Sequence, residues 1–309
     1  MDDKLKGDRM TSPLSVLQKA TKDDLRTSPF PYIVIRDALP AELYDRLATA
    51  FPSPGNLGID VSKNNWRWNY GSAKVAKDPG LAQLWKDFIA YQSSPEFFHE
   101  IVELFYDGIH VRYPKQFPSL EYARRMRVGT RERDTFANKD VLMDAMISGN
   151  SPVQAASSVR TTHIDQGRKI FSGLFYMRRD EDDSVGGDLT ISRFKPRYSD
   201  LASKVALFKG DYVDDQFVDV VETVPYSRNT LVLFINSIDS LHGVTVRQPT
   251  PHGRYFVNLV GEVVTRLYRR VKGRHYYVNL AWPVDAPVPP MSVLGERVMG
   301  LMNRPQAGD

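Results

Sequence analysis

Histidine and carboxylate side chains are the residues of this chain that could hold a metal ion, because its sequence contains no cysteine. Disulfides, cysteine zinc sites, iron–sulfur clusters and thiol nucleophiles are therefore excluded. One of the six histidines stands in the tripeptide His163-Ile164-Asp165. Residues two apart at the end of a strand project from the same face, so both side chains could reach one ion. About 0.7 such His-x-acidic matches are expected by chance with this composition, so the tripeptide needs a further ligand.

A second histidine follows a strongly apolar segment. Residues 230–235 predict a buried strand, and His242 lies just beyond it. If His163, Asp165 and His242 meet at one mouth of a barrel, they form a two-histidine, one-carboxylate group. Such a group leaves three coordination positions open and suits non-haem Fe(II).

The elements that must position these residues change in type along the chain. Apolar periodicity and capping residues predict helices in the first third, at 40–51, at about 78–91 and from Ser94-Pro95 onward. Later, short apolar runs separated by turn residues predict strands. The clearest of these are 169–177, 188–191, 230–235 and 255–260, and residues 31–36 predict a further strand before the first helix. No helical pattern between the later strands is long enough for a parallel crossover, so we expect antiparallel sheets in a sandwich or barrel.

Length and composition limit the class of protein. The 309 residues are 42% apolar and 25% charged, which fits a globular protein with a sizeable core. The net charge of +4 is too small to indicate nucleic-acid binding by itself. The longest apolar runs are strand-sized and no secretory signal is readable, so we expect a soluble, cytoplasmic protein without membrane contact.

The expected organisation is one domain behind a loose arm. Residues 1–29 are polar and mixed in charge and form the arm, and residues 30–309 form the domain. Within it we expect helical support over 30–119, a β core over 120–265 and a C-terminal extension over 266–309. Apolar spacing at Leu294, Val298, Leu301 and Met302 predicts a short helix at the end of that extension.

These motifs together resemble the Fe(II)/2-oxoglutarate-dependent dioxygenases, in particular the prolyl-4-hydroxylase-like branch. The resemblance covers roughly residues 120–265. It rests on the His163 tripeptide, the Gly186-Gly187-Asp188-Leu189 turn and strand, the strand from Asn229, His242-Gly243-Val244, and a basic residue on the next strand. It implies a fold that is mainly β with α, in which helical elements pack on a double-stranded β-helix of the jelly-roll or cupin-like kind.

The resemblance also implies site roles. His163, Asp165 and His242 would bind Fe(II), with 2-oxoglutarate and O2 as co-substrates. A basic residue would pair with the distal carboxylate of 2-oxoglutarate, and Arg254 fits best, with Arg247 as second choice. An arginine suits this role because its planar fork binds a carboxylate bidentately. The family activity is hydroxylation of an unactivated C–H bond with release of succinate and CO2. The presence of Asp165 argues against a related halogenase.

Further candidates follow from their positions next to these motifs. Ser172 and Tyr176 share one face of the strand after the tripeptide, so either hydroxyl could reach the co-substrate. Arg160 and Arg168 flank the tripeptide and could orient an anion. Each of these side chains could also be ordinary barrel interior or surface charge.

The substrate stays open at this point. The arginine-rich segment 124–133 near the expected entrance favours a small polar or anionic metabolite, while a peptidyl substrate is the alternative. Two interpretations without 2-oxoglutarate are alternatives to the dioxygenase. One is a cupin-like metal protein, and the other is a binding protein in which His163 and His242 share no metal ion. The oligomeric state is not readable from the sequence.

Overall fold

Antiparallel strands dominate the computed structural model, which describes residues 12–272 and 279–283. The strands are β1 (Tyr32–Ile35), β2 (Arg67–Tyr70), β3 (Val128–Thr130), β4 (Val141–Asn150), β5 (Lys169–Tyr176), β6 (Leu189–Phe194), β7 (Phe208–Lys209), β8 (Tyr212–Val213), β9 (Val218–Val224), β10 (Thr230–Ile235), β11 (His242–Val244), β12 (Arg254–Val263), β13 (Tyr268–Lys272) and β14 (Asn279–Pro283). The helices are α1 (Ala41–Thr49), α2 (Ser72–Val75), α3 (Gln83–Gln92), α4 (Pro95–Arg112), α5 (Leu120–Arg124) and α6 (Leu201–Ala206).

Two facing sheets form the core. The larger has the order β1-β10-β5-β12-β4-β2, with β3 added parallel to β4, and all its other pairings are antiparallel. The smaller has the order β11-β6-β9. Side chains of both sheets pack between them, as with Tyr176 and Val232 of the larger sheet against Ile191 and Val224 of the smaller. This arrangement is the predicted double-stranded β-helix.

The helices cover the outer face of the larger sheet. Alternate residues of β10, such as Leu231 and Leu233, belong to the same apolar cluster as Trp85 and Phe88 of α3. Val232 of β10 points the other way, toward the smaller sheet. Both faces of β10 are therefore buried, which explains its unbroken apolar sequence.

The predicted elements are largely confirmed. Strand 230–235 and the start of α4 behind its N-cap Ser94 are found as expected, and the strand at 254–263 is longer than predicted. Helix α3 begins at Gln83, five residues late, because the Pro79-Gly80 segment before it forms a turn. The sequence did not reveal β4, whose Asp, Ser, Gly and Asn residues interrupt the apolar pattern although every position is buried.

The N-terminal segment of the chain is part of the folded body. The part of the arm that the structure describes, residues 12–29, is packed rather than loose, because Val16 and Leu17 are buried in the main core. The predicted C-terminal helix lies outside the described residues. No helix in the described ranges combines the length and apolarity needed to cross a membrane.

Replacement of Gly186 by alanine should lower the free energy of unfolding by about 2–4 kcal/mol. Gly186 has a φ of 80°, and an added Cβ would lie 1.9 Å from the carbonyl oxygen of Val246. Both the left-handed backbone and the clash oppose any side chain here. Urea denaturation followed by circular dichroism measures the change. Gly55→Ala, at a glycine with open space around it, is the control, and equal stability of the two variants would contradict the prediction.

Candidate metal centre

The two histidines of the predicted triad are backbone partners across the smaller sheet. The backbone N–H of His163 donates to the carbonyl of His242 at 2.9 Å, and that of His242 donates back at 3.0 Å. This antiparallel bridge holds His163 beside the first residue of β11, although the two histidines are far apart in sequence. The ring centroids of His163 and His242 are 4.2 Å apart.

Each imidazole is held in one tautomer by a backbone carbonyl. Nδ1 of His163 lies 2.7 Å from the carbonyl oxygen of Thr161, and Nδ1 of His242 lies 2.8 Å from that of Ser240. Since a carbonyl only accepts, Nδ1 carries the proton and Nε2 keeps its lone pair. Burial lowers the pKa of both histidines, that of His163 well below its usual range. Both rings are therefore neutral and able to ligate a metal ion near pH 7.

The third member of the group is a buried, ionised carboxylate. Oδ1 of Asp165 lies 3.2 Å from a guanidinium nitrogen of Arg160, and Oδ2 lies 3.3 Å from Nζ of Lys169. The hydroxyl of Ser172 donates to Oδ2 at 2.6 Å and accepts a hydrogen bond from the amide of Asn236. Burial alone would raise the pKa of Asp165, but the surrounding cationic side chains, Lys169 foremost, hold it well below its usual range.

The three side chains fit a divalent metal ion. One potential ligand atom from each of His163, Asp165 and His242 lies within 4.8 Å of the other two. Within residues 12–272 and 279–283, no other group of three histidine, aspartate or glutamate side chains meets this condition. Two neutral imidazoles and one carboxylate are the donor set of non-haem Fe(II) sites. The structure thus brings these three predicted residues together, and their role as metal ligands stays a prediction.

The group opens into a cavity of about 510 Å³ that carries an excess of positive charge. Five cationic side chains line it, and two acidic ones, Asp165 and Glu262, face them. The cationic residues are Arg67, Arg131, Arg160, Lys169 and Arg254. A cavity with this surplus of cations favours anionic ligands.

Arg254 and Tyr176 lie together on the inner face of the larger sheet. The guanidinium of Arg254 donates to the hydroxyl of Tyr176 at 3.1 Å, and its buried Nε has no hydrogen-bond partner. It forms no ion pair with any described carboxylate and is packed over the rings of Tyr176, Tyr226 and Phe256. A buried, uncompensated guanidinium is costly unless an anion completes it.

The second-choice arginine is placed differently. Arg247 is buried outside the cavity lining, where it donates to the side chain of Asn65 and to the backbone carbonyls of Ser151 and His252. Its aliphatic part packs on Gly187, where an added Cβ would lie 2.9 Å from it. Arg247 therefore connects neighbouring loops by hydrogen bonds. Because Arg254 lines the cavity and Arg247 does not, the geometry favours Arg254 as the carboxylate partner.

The arginine-rich segment 124–133 contributes fewer side chains to the cavity than the sequence predicted. Arg124, Arg125, Arg127 and Arg133 are largely exposed and paired with acidic neighbours at the surface. Only Arg131 lines the cavity, where it is paired with Asp144 and Glu262. Arg168 lies over Phe136 and donates to a backbone carbonyl, away from the cavity.

Arg67 and Asn150 are among the cavity residues of the larger sheet that sequence reasoning missed. Arg67 stands in the short strand β2, which was not among the predicted strands. Asn150 ends β4, which was not predicted as a strand. The available signal was an arginine between two tryptophans at 66–68, which is typical of a half-buried strand.

Replacement of Ser172 by alanine should weaken metal binding about 10- to 100-fold, the usual effect of losing a group that orients a ligand. The variant loses the bond to Asp165 and leaves the amide of Asn236 unpaired. Metal affinity is measured by competition with a chelator. Ser93→Ala removes a buried hydroxyl that bonds only within α3 and its C-cap, so its metal affinity should equal that of the parent. Equal affinities for all three proteins would contradict the prediction.

A double-stranded β-helix with a two-histidine, one-carboxylate group facing an internal cavity is the class of structure that these observations define. No family model and no curated protein matches the chain. Among solved structures it is similar to a prolyl-4-hydroxylase of Pseudomonas putida, with 13% identity over 76% of this chain and 93% of that one, TM-score 0.42.

Two further solved structures are similar to the chain. A prolyl 4-hydroxylase of Phytophthora capsici is 12% identical over 75% of this chain and 59% of that one, TM-score 0.40. The collagen prolyl hydroxylase of Paramecium Bursaria Chlorella virus-1, solved as a 2-oxoglutarate complex, is 10% identical over 76% of this chain and 96% of that one, TM-score 0.35.

Proposed function

We propose that this chain is an Fe(II)- and 2-oxoglutarate-dependent dioxygenase that hydroxylates an unactivated C–H bond of a small polar or anionic metabolite. One observation carries the proposal. The ligand group His163, Asp165 and His242 lines the same cavity as the uncompensated guanidinium of Arg254. A group of metal-ligating side chains and a buried guanidinium in one cavity match a co-substrate that has a metal-chelating end and a distal carboxylate.

The residues of the chain divide the work. His163, Asp165 and His242 would hold Fe(II), and Arg254 with Tyr176 would hold the distal carboxylate of 2-oxoglutarate. When bound, Fe(II) and 2-oxoglutarate supply the oxidation of a C–H bond by O2, with release of succinate and CO2. Ser172 and Lys169 keep Asp165 oriented and ionised. The apolar side chains around Arg254 exclude water from the co-substrate end, which strengthens its pairing with a carboxylate.

The cationic lining supports a small polar or anionic substrate. A peptidyl substrate is the second candidate, because a groove of about 460 Å³ shares Arg67 and Asn69 with the cavity. Lys63 and Trp66 also line that groove, and the side chain of Trp66 is exposed. It could receive the flanking residues of an extended chain.

Anaerobic titration of the purified protein with Fe(II) and then with 2-oxoglutarate tests the function. We expect a weak visible metal-to-ligand charge-transfer band that appears only when both are present. Its appearance would establish the metal site and the co-substrate together. Retention of metal without the band would favour a cupin-like metal protein, and no retention of metal would favour a binding protein with unrelated histidines.

A further inference from the structure

Three polar residues form one row across the larger sheet. The register of β2, β4 and β12 pairs Asn150 with Arg67 on one side and with Arg254 on the other. Residues paired in register across neighbouring strands project from the same face of a sheet. All three line the cavity that faces the metal-ligand group. The row therefore presents two guanidinium groups, separated by an amide, to one ligand space.

The amide in the middle has no partner. Asn150 is 1% exposed, and neither its Nδ2 nor its Oδ1 has a hydrogen-bond partner. A buried amide left unsatisfied costs about 1–3 kcal/mol, and such groups are uncommon in folded proteins. An amide that lines a cavity in this state indicates a ligand that supplies the missing bonds.

Arg67, which is partly buried, also lacks a polar partner among the described residues. Its guanidinium lies over the ring of Phe256 at 5.2 Å and, within the described residues, makes no side-chain hydrogen bond or ion pair. Burial, partly offset by the attraction of Asp165 and reinforced by repulsion from Arg254 and Arg160, lowers the pKa of Arg67 to about 10. The side chain is still cationic at neutral pH, so it faces the cavity as an unpaired positive charge. A bound anion would relieve this repulsion.

One carboxylate cannot complete the whole row. A carboxylate offers about four lone pairs, whereas each guanidinium carries five N–H donors and the amide of Asn150 carries two. A carboxylate held in the fork of Arg254 beside Tyr176 leaves Arg67 and Asn150 available for a second group. The second group must then belong to a different molecule or to the far end of a longer one.

We propose that Arg67 and Asn150 form a second anion subsite, which binds the carboxylate of the substrate to be oxidised. This inference rests on the proposed function, because it assigns the Arg254 end of the row to 2-oxoglutarate. Arg67 supplies a planar fork for the carboxylate and Nδ2 of Asn150 supplies a further donor. Oδ1 of Asn150 then accepts a hydrogen bond from a donor on the adjacent carbon. The substrate class is therefore an α-amino or α-hydroxy acid.

Binding measurements with acid and amide pairs test the subsite. The protein, loaded with Zn(II) and saturated with 2-oxoglutarate, is titrated calorimetrically with α-amino and α-hydroxy acids and with the primary amide of each. We expect at least one acid to bind at least ten-fold more tightly than its amide. Arg67→Gln and Asn150→Ala should each weaken that acid at least ten-fold, while the affinity for 2-oxoglutarate changes less than two-fold.

Three results would overturn the inference. They are the absence of any preference for acid over amide, unchanged acid binding in Arg67→Gln, and an equal loss of 2-oxoglutarate affinity in that variant. Circular dichroism establishes that both variants are folded, and Arg168→Gln, at an arginine outside the cavity, is the matched control.

A further arm separates this inference from the proposed function. If the parent binds no 2-oxoglutarate, the proposed function fails. The acid subsite is then still tested in the metal-free Arg254→Gln variant. An acid preference there that is lost when Arg67→Gln is added comes from Arg67, and either its absence in the single variant or its survival in the double variant overturns the inference.

Discussion

Replacement of His163 by alanine should weaken the binding of Fe(II) by on the order of 10³-fold and abolish the charge-transfer band with 2-oxoglutarate. Loss of a group that merely orients a ligand costs 10- to 100-fold, so loss of a ligand itself should cost more. Among the described residues, no other histidine, aspartate or glutamate forms such a group with Asp165 and His242, so no neighbouring side chain can take the place of His163. Metal content after dialysis and the anaerobic titration provide the two measurements.

The control for this variant is His99→Ala. His99 lies on α4, away from the cavity lining, and alanine is favourable within a helix. This control should retain the metal and the band. If His163→Ala kept its iron, or if His99→Ala lost it equally, the assignment of the metal centre would be wrong.

Replacement of Arg254 by glutamine should weaken 2-oxoglutarate binding by about 10- to 100-fold, because a hydrogen bond to a charged group contributes about 1.5–3 kcal/mol. The buried guanidinium has Tyr176 as its only side-chain hydrogen-bond partner among the described residues, so the carboxylate of the ligand is its natural counterion. Arg254→Lys should recover part of the affinity, since it keeps the charge but loses the planar fork. The concentration of 2-oxoglutarate that half-saturates the charge-transfer band gives the affinity.

The specificity of this effect can be tested with 2-oxobutyrate, which keeps the chelating end of 2-oxoglutarate but has no distal carboxylate. 2-Oxobutyrate should bind more weakly than 2-oxoglutarate to the parent. Its affinity should be nearly the same for the parent and for Arg254→Gln. A similar loss for both ligands would indicate general damage to the site. No loss for either would assign the distal carboxylate to another residue.

Local sequence patterns determined most of the elements. The apolar run 230–235 and the Ser94-Pro95 helix start depend on contacts within a few residues, so a single sequence encodes them directly. The spacing of His163 and Asp165 likewise determined that both could face one ion. The strand β4 was missed because its polar residues face the cavity and the surrounding hydrogen-bond partners rather than solvent, which breaks the apolar pattern that marks a buried strand.

The tertiary structure alone decided which cationic residues reach the site. Of the arginine-rich segment, surface ion pairs hold four members away from the cavity and only Arg131 lines it. Arg67 and Asn150 join Arg254 because three strands distant in sequence pair in one register. Strand register depends on long-range packing that burial of the whole sheet selects. The sequence by itself therefore determined the candidate metal ligands, and the fold determined which cationic and amide side chains line the cavity beside them.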